Sequence, residues 1–335
     1  MTVKRTDKTA GTGRAEKKMV IGVSSRALFD LTVENEIFEA QGLEAYCRYQ
    51  VGHEGEVLKP GPGFRLIRSL LRLNDCAEGR ELIEVIIMSH NSPDTSLRVF
   101  HSITHYGLPI TRSVLVSGAS LAPYLSAFGT DLFLSACEED VQCAIDNGIA
   151  AGIICTEGVQ EGTGYGHGEG RVTDVIPMRV GAGQIRIAFD GDAVLFADAS
   201  EAIFRREGLE AFEENERVHA MEPLGEGPFA KFLKKLSALQ QELGRENCPI
   251  RTALVTSRSA PAHERVIRTL RAWNVWVDEA FFLGGMEKKE FLKAFGAQIF
   301  FDDQSVHTNN ASLAVPAARV PYRRTGDMQR RISAL

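Results

Sequence analysis

The sequence lacks the features that mark several common protein classes. No apolar run approaches the roughly 18 residues that a membrane-spanning helix needs, and the six cysteines include no C-x-x-C pair and no zinc-type spacing. The net charge of −6 provides no basic surface for nucleic acid. We therefore expect a cytoplasmic protein with reduced thiols that binds neither nucleic acid nor membranes.

The N-terminal segment 1–18 lacks the apolar core of a secretory signal. It is polar throughout and contains basic residues at positions 4, 5, 8, 14, 17 and 18. We predict that this segment is a disordered tail.

What the sequence does contain is typical of a globular α/β protein. Its 335 residues suffice for one or two domains with a large core, and 44% apolar and 24% charged residues are ordinary proportions. From residue 19 onward, short apolar runs alternate with segments of helical periodicity. This alternation predicts a mostly parallel sheet with helices on its faces.

The two halves of the chain repeat one another. The sequence IFEAQGLEAY begins at Ile37 and IFRREGLEAF begins at Ile203, an offset of 203 − 37 = 166. The same offset relates the Gly-Pro pair at 61–62 to the pair at 227–228. Repetition over so long a period predicts a duplicated architecture.

We therefore expect two tandem Rossmann-like α/β units, residues 19–155 and 184–335, joined by the segment 156–183. This segment contains EGTGYGHGEG. A glycine-rich loop can hold phosphate when a strand precedes it and a helix follows it. No helical pattern follows here, so a flexible linker is favoured over a phosphate-binding loop.

Two acidic residues follow the first strand of the second unit. The apolar run Ile185–Phe189 predicts a buried strand, and Asp190, Gly191 and Asp192 come directly after it. Carboxylates rarely lie inside a protein unless they are paired or bind a metal. An ordinary Asp-Gly turn explains this stretch equally well by itself, so the choice depends on the rest of the chain.

The acids and one lysine occur in the second unit only. At the repeat offset of 166 or 167, the corresponding residues are Asp190 and Ser24, Asp192 and Arg26, Thr256 and Ser89, Lys288 and Leu121, and Asp302-Asp303 and Ser135-Ala136. A role in packing alone would not sort residues in this way. We therefore interpret the second unit as active and the first as an inactive copy.

These residues lie where a parallel sheet builds its binding sites. Asp190, Thr256 and the pair Asp302-Asp303 each come at the end of a predicted strand, and ligands bind outside the carboxyl ends of such strands. Several carboxylates cannot share one site without a cation. Oxygen ligands with room for water are typical of Mg²⁺, which is the cofactor that we predict.

The order of these motifs resembles the haloacid dehalogenase-like phosphatases. That superfamily has D-x-D on a first strand, Ser or Thr on a second, then a lysine, and a pair of acids on a last strand. The stretches VSSRALF, FDGDAVLF, CPIRTALVTSRSA, LRAWNVWVDEAFFLGG and IFFDDQ are similar to the cytosolic 5′-nucleotidase type I family. The resemblance covers residues 19–322.

The resemblance implies a role for each motif residue. Asp190 is expected to be the nucleophile that forms an aspartyl-phosphate, and Asp192 the general acid and base. Thr256 and Lys288 are expected to bind the phosphate oxygens. Lys289 stays open as an alternative to Lys288.

The resemblance also implies the metal and substrate contacts. The expected Mg²⁺ ligands are Asp190, the carbonyl group of Asp192, and Asp302 or Asp303. Three further residues are expected to contact the phosphate or the substrate: Gly191, Ser257 and Arg258. For Arg258, exposure at the surface is an equal alternative.

Helices at about 199–245 are expected to form a small cap over the site, because the superfamily often has an insertion there. Four aromatic residues of this segment could stack on a base, although their helical spacing favours core packing: Phe204, Phe212, Phe229 and Phe232.

The implied function is Mg²⁺-dependent hydrolysis of nucleoside 5′-monophosphates such as AMP. One alternative is a phosphatase of the same fold for another small phosphoester. The other is a regulatory nucleotide-binding protein in which Ser24, Arg26 and Ser89 hold an anion. A homo-oligomer and a nucleotide effector are compatible with each of these functions.

Overall fold

The computed structural model describes residues 18–76, 79–155, 184–244 and 248–324. The predicted linker and all but the last residue of the predicted tail lie outside these residues. Residues 18–155 and 184–324 are called the first half and the second half below.

Ten strands of the described residues form one sheet. In chain order they are β1 (Met19–Val23), β2 (Ile83–Ser89), β3 (Arg112–Leu115), β4 (Leu132–Ser135), β5 (Ala150–Ile154), β6 (Ile185–Phe189), β7 (Ile250–Thr256), β8 (Glu279–Phe282), β9 (Ile299–Asp302) and β10 (Ala317–Arg319). Their order across the sheet is β3-β2-β1-β4-β5-β10-β9-β6-β7-β8. Neighbouring strands are parallel except β5 and β10. The predicted mostly parallel α/β architecture is confirmed, and both halves share one continuous sheet.

Helices connect these strands. Those of the described residues are α1 (Ser25–Leu28), α2 (Thr32–Gly52), α3 (Phe64–Leu71), α4 (Leu97–His105), α5 (Ala122–Ala127), α6 (Glu138–Asp146), α7 (Ala199–Val218), α8 (Ala230–Glu242), α9 (His263–Ala272), α10 (Lys289–Phe295) and α11 (Ser305–Ser312). Helices α2 and α7 are each bent at a glycine with positive φ, Gly42 at 82° and Gly208 at 85°, a conformation that glycine adopts without strain. None of these described helices combines the length and the apolar character needed to cross a bilayer.

The sheet forms the centre of the core. Every residue of β1 and β2 is buried, as is normal for parallel strands covered on both faces. Helix α8 belongs to this core, since Phe232 is buried and its ring packs 6.3 Å from that of Phe189. Helix α7 instead leaves much of its surface exposed, including Phe204 and Leu209. The predicted cap segment therefore contains one core helix and one surface helix.

The repeated Gly-Pro positions have a steric explanation. A Cβ atom at Gly227 would lie 2.4 Å from the carbonyl oxygen of Phe196, and one at Gly61 would lie 2.7 Å from the carbonyl carbon of Phe29. Only glycine permits so close an approach of two backbones. In the second half this contact fixes the chain directly after the irregular turn Gly191–Leu195.

Candidate active site

The ends of three neighbouring strands meet at one edge of the sheet in the second half. Strands β9, β6 and β7 are adjacent and parallel, so their carboxyl ends lie side by side. Asp190 directly follows β6, Thr256 ends β7 and Asp302 ends β9. The fold thus brings these residues together at the place where open parallel sheets bind ligands.

Lys288 joins two of the carboxylates. Lys288 directly precedes α10, and its ammonium group donates to Asp190 Oδ1 at 2.8 Å and to Asp302 Oδ2 at 2.6 Å. The Lys288 side chain is only 3% exposed, and a buried charge of this kind needs paired partners. The neighbouring Lys289 is half-buried. The geometry therefore places Lys288, of the two candidate lysines, among the carboxylates.

Three buried carboxylates form what we call the Asp190 cluster: Asp190, Asp302 and Asp303. One oxygen of each lies within 4.8 Å of the others. Asp303 Oδ1 is buried and has no hydrogen-bond partner among the described residues. An unpaired buried oxygen is costly, and oxygen atoms are the ligands that Mg²⁺ takes. The donor set of the cluster therefore fits the predicted Mg²⁺.

Burial and crowded charge shift the pKa values of this cluster. Burial raises the pKa of Asp190 to about 7, although Lys288 opposes the rise. Burial and then the charge of Asp190 raise the pKa of Asp303 well above its ordinary value. For Asp302, burial acts upward, but Lys288 and His307 outweigh it and lower the pKa. Without a divalent cation, Asp190 and Asp303 are therefore driven towards protonation.

Asp192 contacts an arginine rather than the Asp190 cluster. The Nε and Nη2 atoms of Arg258 donate to its two carboxylate oxygens at 2.7 and 2.6 Å. Arg258 is 3% exposed, and its guanidinium group lies 5.1 Å from the centre of the Phe212 ring. The alternative of an exposed Arg258 is therefore wrong. A contact between Arg258 and phosphate stays a prediction.

A buried glutamate holds the other side of this arginine. Glu216 of α7 is fully buried and accepts hydrogen bonds from Arg258 Nη1, from Arg265 Nη1 at 3.0 Å and from Ser200 Oγ at 2.8 Å. Helix α7 is thus tied to Asp192 through Arg258. Sequence reasoning missed Glu216 because it lies in the stretch EENERV, where nothing distinguishes it from surface glutamates.

Thr256 and Gly191 lie against each other. Thr256 is buried, and its Oγ1 atom accepts a hydrogen bond from the backbone N–H of Arg258 at 3.2 Å. A Cβ atom at Gly191 would lie 3.2 Å from the same oxygen, so a larger residue would crowd the threonine. Ser257, the next predicted residue, is exposed.

The groups around the last two carboxylates were also missed. The Tyr322 hydroxyl donates to Asp303 and lies 3.3 Å from Glu201. His307 Nδ1 lies 3.2 Å from Asp302 Oδ2. These are single residues of α7, α11 and the segment after β10, and no motif in the sequence marks them.

The four aromatic residues that could stack on a base have different surroundings. Phe229 and Phe232 are buried in the core, and Phe212 packs under Arg258. Phe204 is 46% exposed. Core packing is therefore confirmed for Phe229 and Phe232, but it is wrong for Phe204, whose ring is accessible.

We expect the metal-free protein to lose stability, relative to an Asp190→Asn variant, as the pH rises from about 4 to about 7. In this range the folded protein holds a proton on Asp190 that the unfolded chain has released, because folding raises this pKa from 3.8 to about 7. Rising pH therefore favours unfolding. Thermal unfolding in EDTA measures the effect, and Mg²⁺ at neutral pH is expected to raise the Tm.

The comparison with Asp190→Asn cancels the titrating groups that lie away from the Asp190 cluster, because both proteins share them. Glu264→Gln changes an exposed glutamate of α9 and serves as a control that should follow the unmodified protein. A constant Tm difference between the unmodified protein and Asp190→Asn across this pH range would contradict the assignment.

Comparison with known proteins places the chain in a family. A sequence profile described as 5′-nucleotidase matches residues 12–327. Human "Cytosolic 5′-nucleotidase 1B" is 37% identical over 308 residues, which are 89% of this chain and 48% of the human protein. The chain thus spans about half the length of this relative.

Solved structures with some similarity are far more distant. A chain of the "Structure of Pnkp1/Rnl/Hen1 complex" covers 92% of this chain and 97% of its own length, with a TM-score of 0.30 and 13% identity. The match to histidinol dehydrogenase from Elizabethkingia anophelis covers 78% of this chain and 54% of the dehydrogenase chain, with a TM-score of 0.21 and 10% identity. Similarities this weak carry no argument. The profile match extends over most of the sequence, and on this basis the chain belongs to the 5′-nucleotidase family.

Proposed function

We propose that this protein is a Mg²⁺-dependent 5′-nucleotidase that hydrolyses nucleoside 5′-monophosphates such as AMP through an aspartyl-phosphate intermediate. The observation that carries the proposal is the contact of Lys288 with Asp190 and Asp302 at the carboxyl edge of the sheet, in a chain of the 5′-nucleotidase family. The human relative is named as a cytosolic 5′-nucleotidase, which supports the same substrate class and a cytoplasmic location.

Asp190 is the nucleophile in this mechanism. One of its oxygens attacks phosphorus, and the bond from phosphorus to the 5′-oxygen breaks as Asp192 gives that oxygen its proton. Lys288 fixes Asp190 at 2.8 Å, and Lys288 and Thr256 stabilise the charge on the phosphate oxygens.

Asp192 acts as a base in the second step. It takes a proton from water, and the water oxygen attacks the phosphorus of the aspartyl-phosphate. The bond between phosphorus and Asp190 then breaks, which releases inorganic phosphate and restores the carboxylate. Asp192 thereby regains the proton that it needs for the next leaving group.

The Asp190 cluster is the proposed Mg²⁺ site, with the main-chain carbonyl of Asp192 as a further ligand. Bound Mg²⁺ would neutralise the negative charge of the carboxylates and of the phosphate. Lys288 offsets part of this charge by itself, because it contacts two of the three carboxylates. Asp303 Oδ1, which lacks a hydrogen-bond partner within the described ranges, is the part of the cluster that most needs the cation.

Arg258 positions Asp192, and Glu216 positions Arg258. The guanidinium group of Arg258 contacts both carboxylate oxygens of Asp192 and so fixes the orientation of this side chain. Glu216 contacts the same guanidinium and offsets its charge. Arg258, paired with Glu216, therefore holds the carboxylate of Asp192 in place less tightly than an arginine without Glu216 would.

The strand order supports a tandem duplication. The order β3-β2-β1-β4-β5 of the first half recurs as β8-β7-β6-β9-β10 in the second half. At the corresponding edge of the first half, Ser25 Oγ lies 3.0 Å from Ser89 Oγ, and Ser24 accepts a hydrogen bond from the N–H of Ala27. Hydroxyls paired within the protein favour an inactive copy over a regulatory anion site.

The proposal also covers the cap over the site and the residues that contact the substrate. Exposed α7 is the proposed cap, because its Glu216 reaches the arginine that holds Asp192. Gly191 and Ser257 are the proposed phosphate contacts beside it. Another small phosphoester is the alternative substrate, since the fold alone does not select one.

The Asp190→Asn substitution is expected to reduce kcat by on the order of 10³-fold or more, because an amide oxygen cannot act as the nucleophile. Phosphate release is measured with a panel of nucleoside 5′-monophosphates and sugar phosphates, in Mg²⁺ and in EDTA. Nucleotides are expected to be the better substrates, and EDTA is expected to abolish release.

Ser24→Ala changes the corresponding residue of the first half and should leave the rate unchanged. Substantial activity in folded Asp190→Asn protein would refute the mechanism. Efficient release from sugar phosphates alone would retain the mechanism and change the substrate class.

The Glu216→Gln substitution is expected to lower kcat by about ten- to a hundred-fold with little change in KM, because Arg258 is then misplaced. Steady-state kinetics with a nucleoside 5′-monophosphate measure kcat and KM separately.

Glu264→Gln, a change at an exposed glutamate of α9, is the matched control. A purely structural role for Glu216 would lower the Tm and the amount of active protein but leave the kcat per folded molecule unchanged. That outcome would remove Glu216 from the mechanism.

A further inference from the structure

A second group of metal-ligating side chains lies in the first half. We call it the His90 cluster, and it consists of His90, Cys137 and Asp140. His90 Nε2 lies 2.6 Å from Asp140 Oδ2. One nitrogen, one sulfur and one oxygen of these residues all lie within 4.8 Å of one another.

Two separate elements bring these side chains together. His90 directly follows β2, whereas Cys137 directly precedes α6 and Asp140 lies in its first turn. Residues three apart at a helix start face the same side, so the thiol and the carboxylate point together. The His90 side chain is 38% exposed, which leaves an approach for an ion from solvent.

The cluster is a property of the first half and is not a remnant of the Asp190 cluster. At the repeat offset of 167, its counterparts in the second half are Ser257, Gln304 and His307. They include no thiol and no carboxylate. The first half therefore lacks the acids of the second half but has its own set of ligands at the ends of β2 and β4.

We infer that the His90 cluster binds Zn²⁺ or an ion of similar ligand preference. A thiolate, an imidazole and a carboxylate together are the ligands that Zn²⁺ takes, whereas Mg²⁺ prefers oxygen alone. Three protein ligands leave a fourth tetrahedral position. Glu139 lies beside Cys137, since its carboxylate accepts a hydrogen bond from the thiol at 3.3 Å.

Binding requires the release of a proton. The ion would replace the hydrogen between His90 and Asp140, which moves to Nδ1 of the imidazole, and would displace the proton of the Cys137 thiol to solvent. Burial raises the pKa of that thiol to about 11, so its proton has to be displaced by the metal. The carboxylates of Glu139 and Asp140 in the first turn of α6 provide negative charge that favours a cation there, whereas Glu138 is paired with Arg319.

The consequence for the protein is a crosslink between β2 and α6. Strand β1 lies between β2 and β4, the strand that α6 follows. An ion held by His90 and by α6 would therefore connect the end of β2 to the segment after β4, across the end of the intervening strand β1. The inference concerns a binding site in the first half and is independent of the proposed catalytic function.

Co²⁺ titration of the full chain in excess Mg²⁺ tests this inference. Co²⁺ replaces Zn²⁺ in tetrahedral sites, and a thiolate ligand gives a charge-transfer absorption band that oxygen ligands cannot give. We expect this band to saturate at about one equivalent of Co²⁺, the stoichiometry of a single four-coordinate site, and to be displaced by Zn²⁺. Excess Mg²⁺ keeps the carboxylate-only Asp190 cluster from contributing.

Cys137→Ser is expected to abolish the band. Asp140→Asn is expected to weaken binding of the ion by at least about tenfold, because changing even a residue that only hydrogen-bonds to a metal ligand typically costs about tenfold in affinity. Cys143→Ser changes another thiol of the same helix and should retain the band. Circular dichroism confirms that each variant is folded, and His90→Gln provides a second ligand variant should Cys137→Ser be unstable.

Absence of a thiolate band in the unmodified protein would overturn the inference. So would an unchanged band in folded Cys137→Ser or in folded His90→Gln. Loss of nucleotidase activity has no bearing on this result, because the readout is the spectrum of the bound ion.

Discussion

Lys288 lies between two buried carboxylates, and the arrangement of the whole site depends on this contact. Its ammonium group is held at 2.8 Å from Asp190 and at 2.6 Å from Asp302, and removing one partner of such a buried pair typically costs about 3–5 kcal/mol. The contact ties the ends of β6 and β9 to the start of α10. One lysine cannot neutralise three carboxylates, and Asp303 Oδ1 has no hydrogen-bond partner in the part of the chain that the structure describes. The site therefore retains a need for a cation.

The position of this site in the sheet could be predicted from the sequence. Asp190 and Asp302 are 302 − 190 = 112 residues apart, yet each follows an apolar run, and parallel strands bring such ends to a common edge. The repeat supplied a second criterion, because the acids are absent from the other copy at Ser24 and Ser135. The first signal is a pattern of apolar strands and the second is a difference in residue type between the two copies, and both can be read directly from the sequence.

Features that depend on side-chain direction or on very short elements could not be predicted. Asp192 is two residues from Asp190, but it turns to Arg258 in an irregular stretch where Ala193 has a φ of 59°. Glu216 became visible only once α7 was packed against Arg258. The joining of the two halves into one sheet depends on β10, which has three residues and is too short for periodicity to reveal.

The most direct test of the account is to trap the phosphate on Asp190 during turnover. Rapid quenching followed by borohydride reduction converts an aspartyl-phosphate to homoserine, and mass spectrometry of the peptides identifies the modified position. The account predicts homoserine at position 190 when a nucleoside monophosphate and Mg²⁺ are present, and none when the nucleotide is left out. Homoserine at a different acid, or continued turnover with position 190 unmodified, would contradict it.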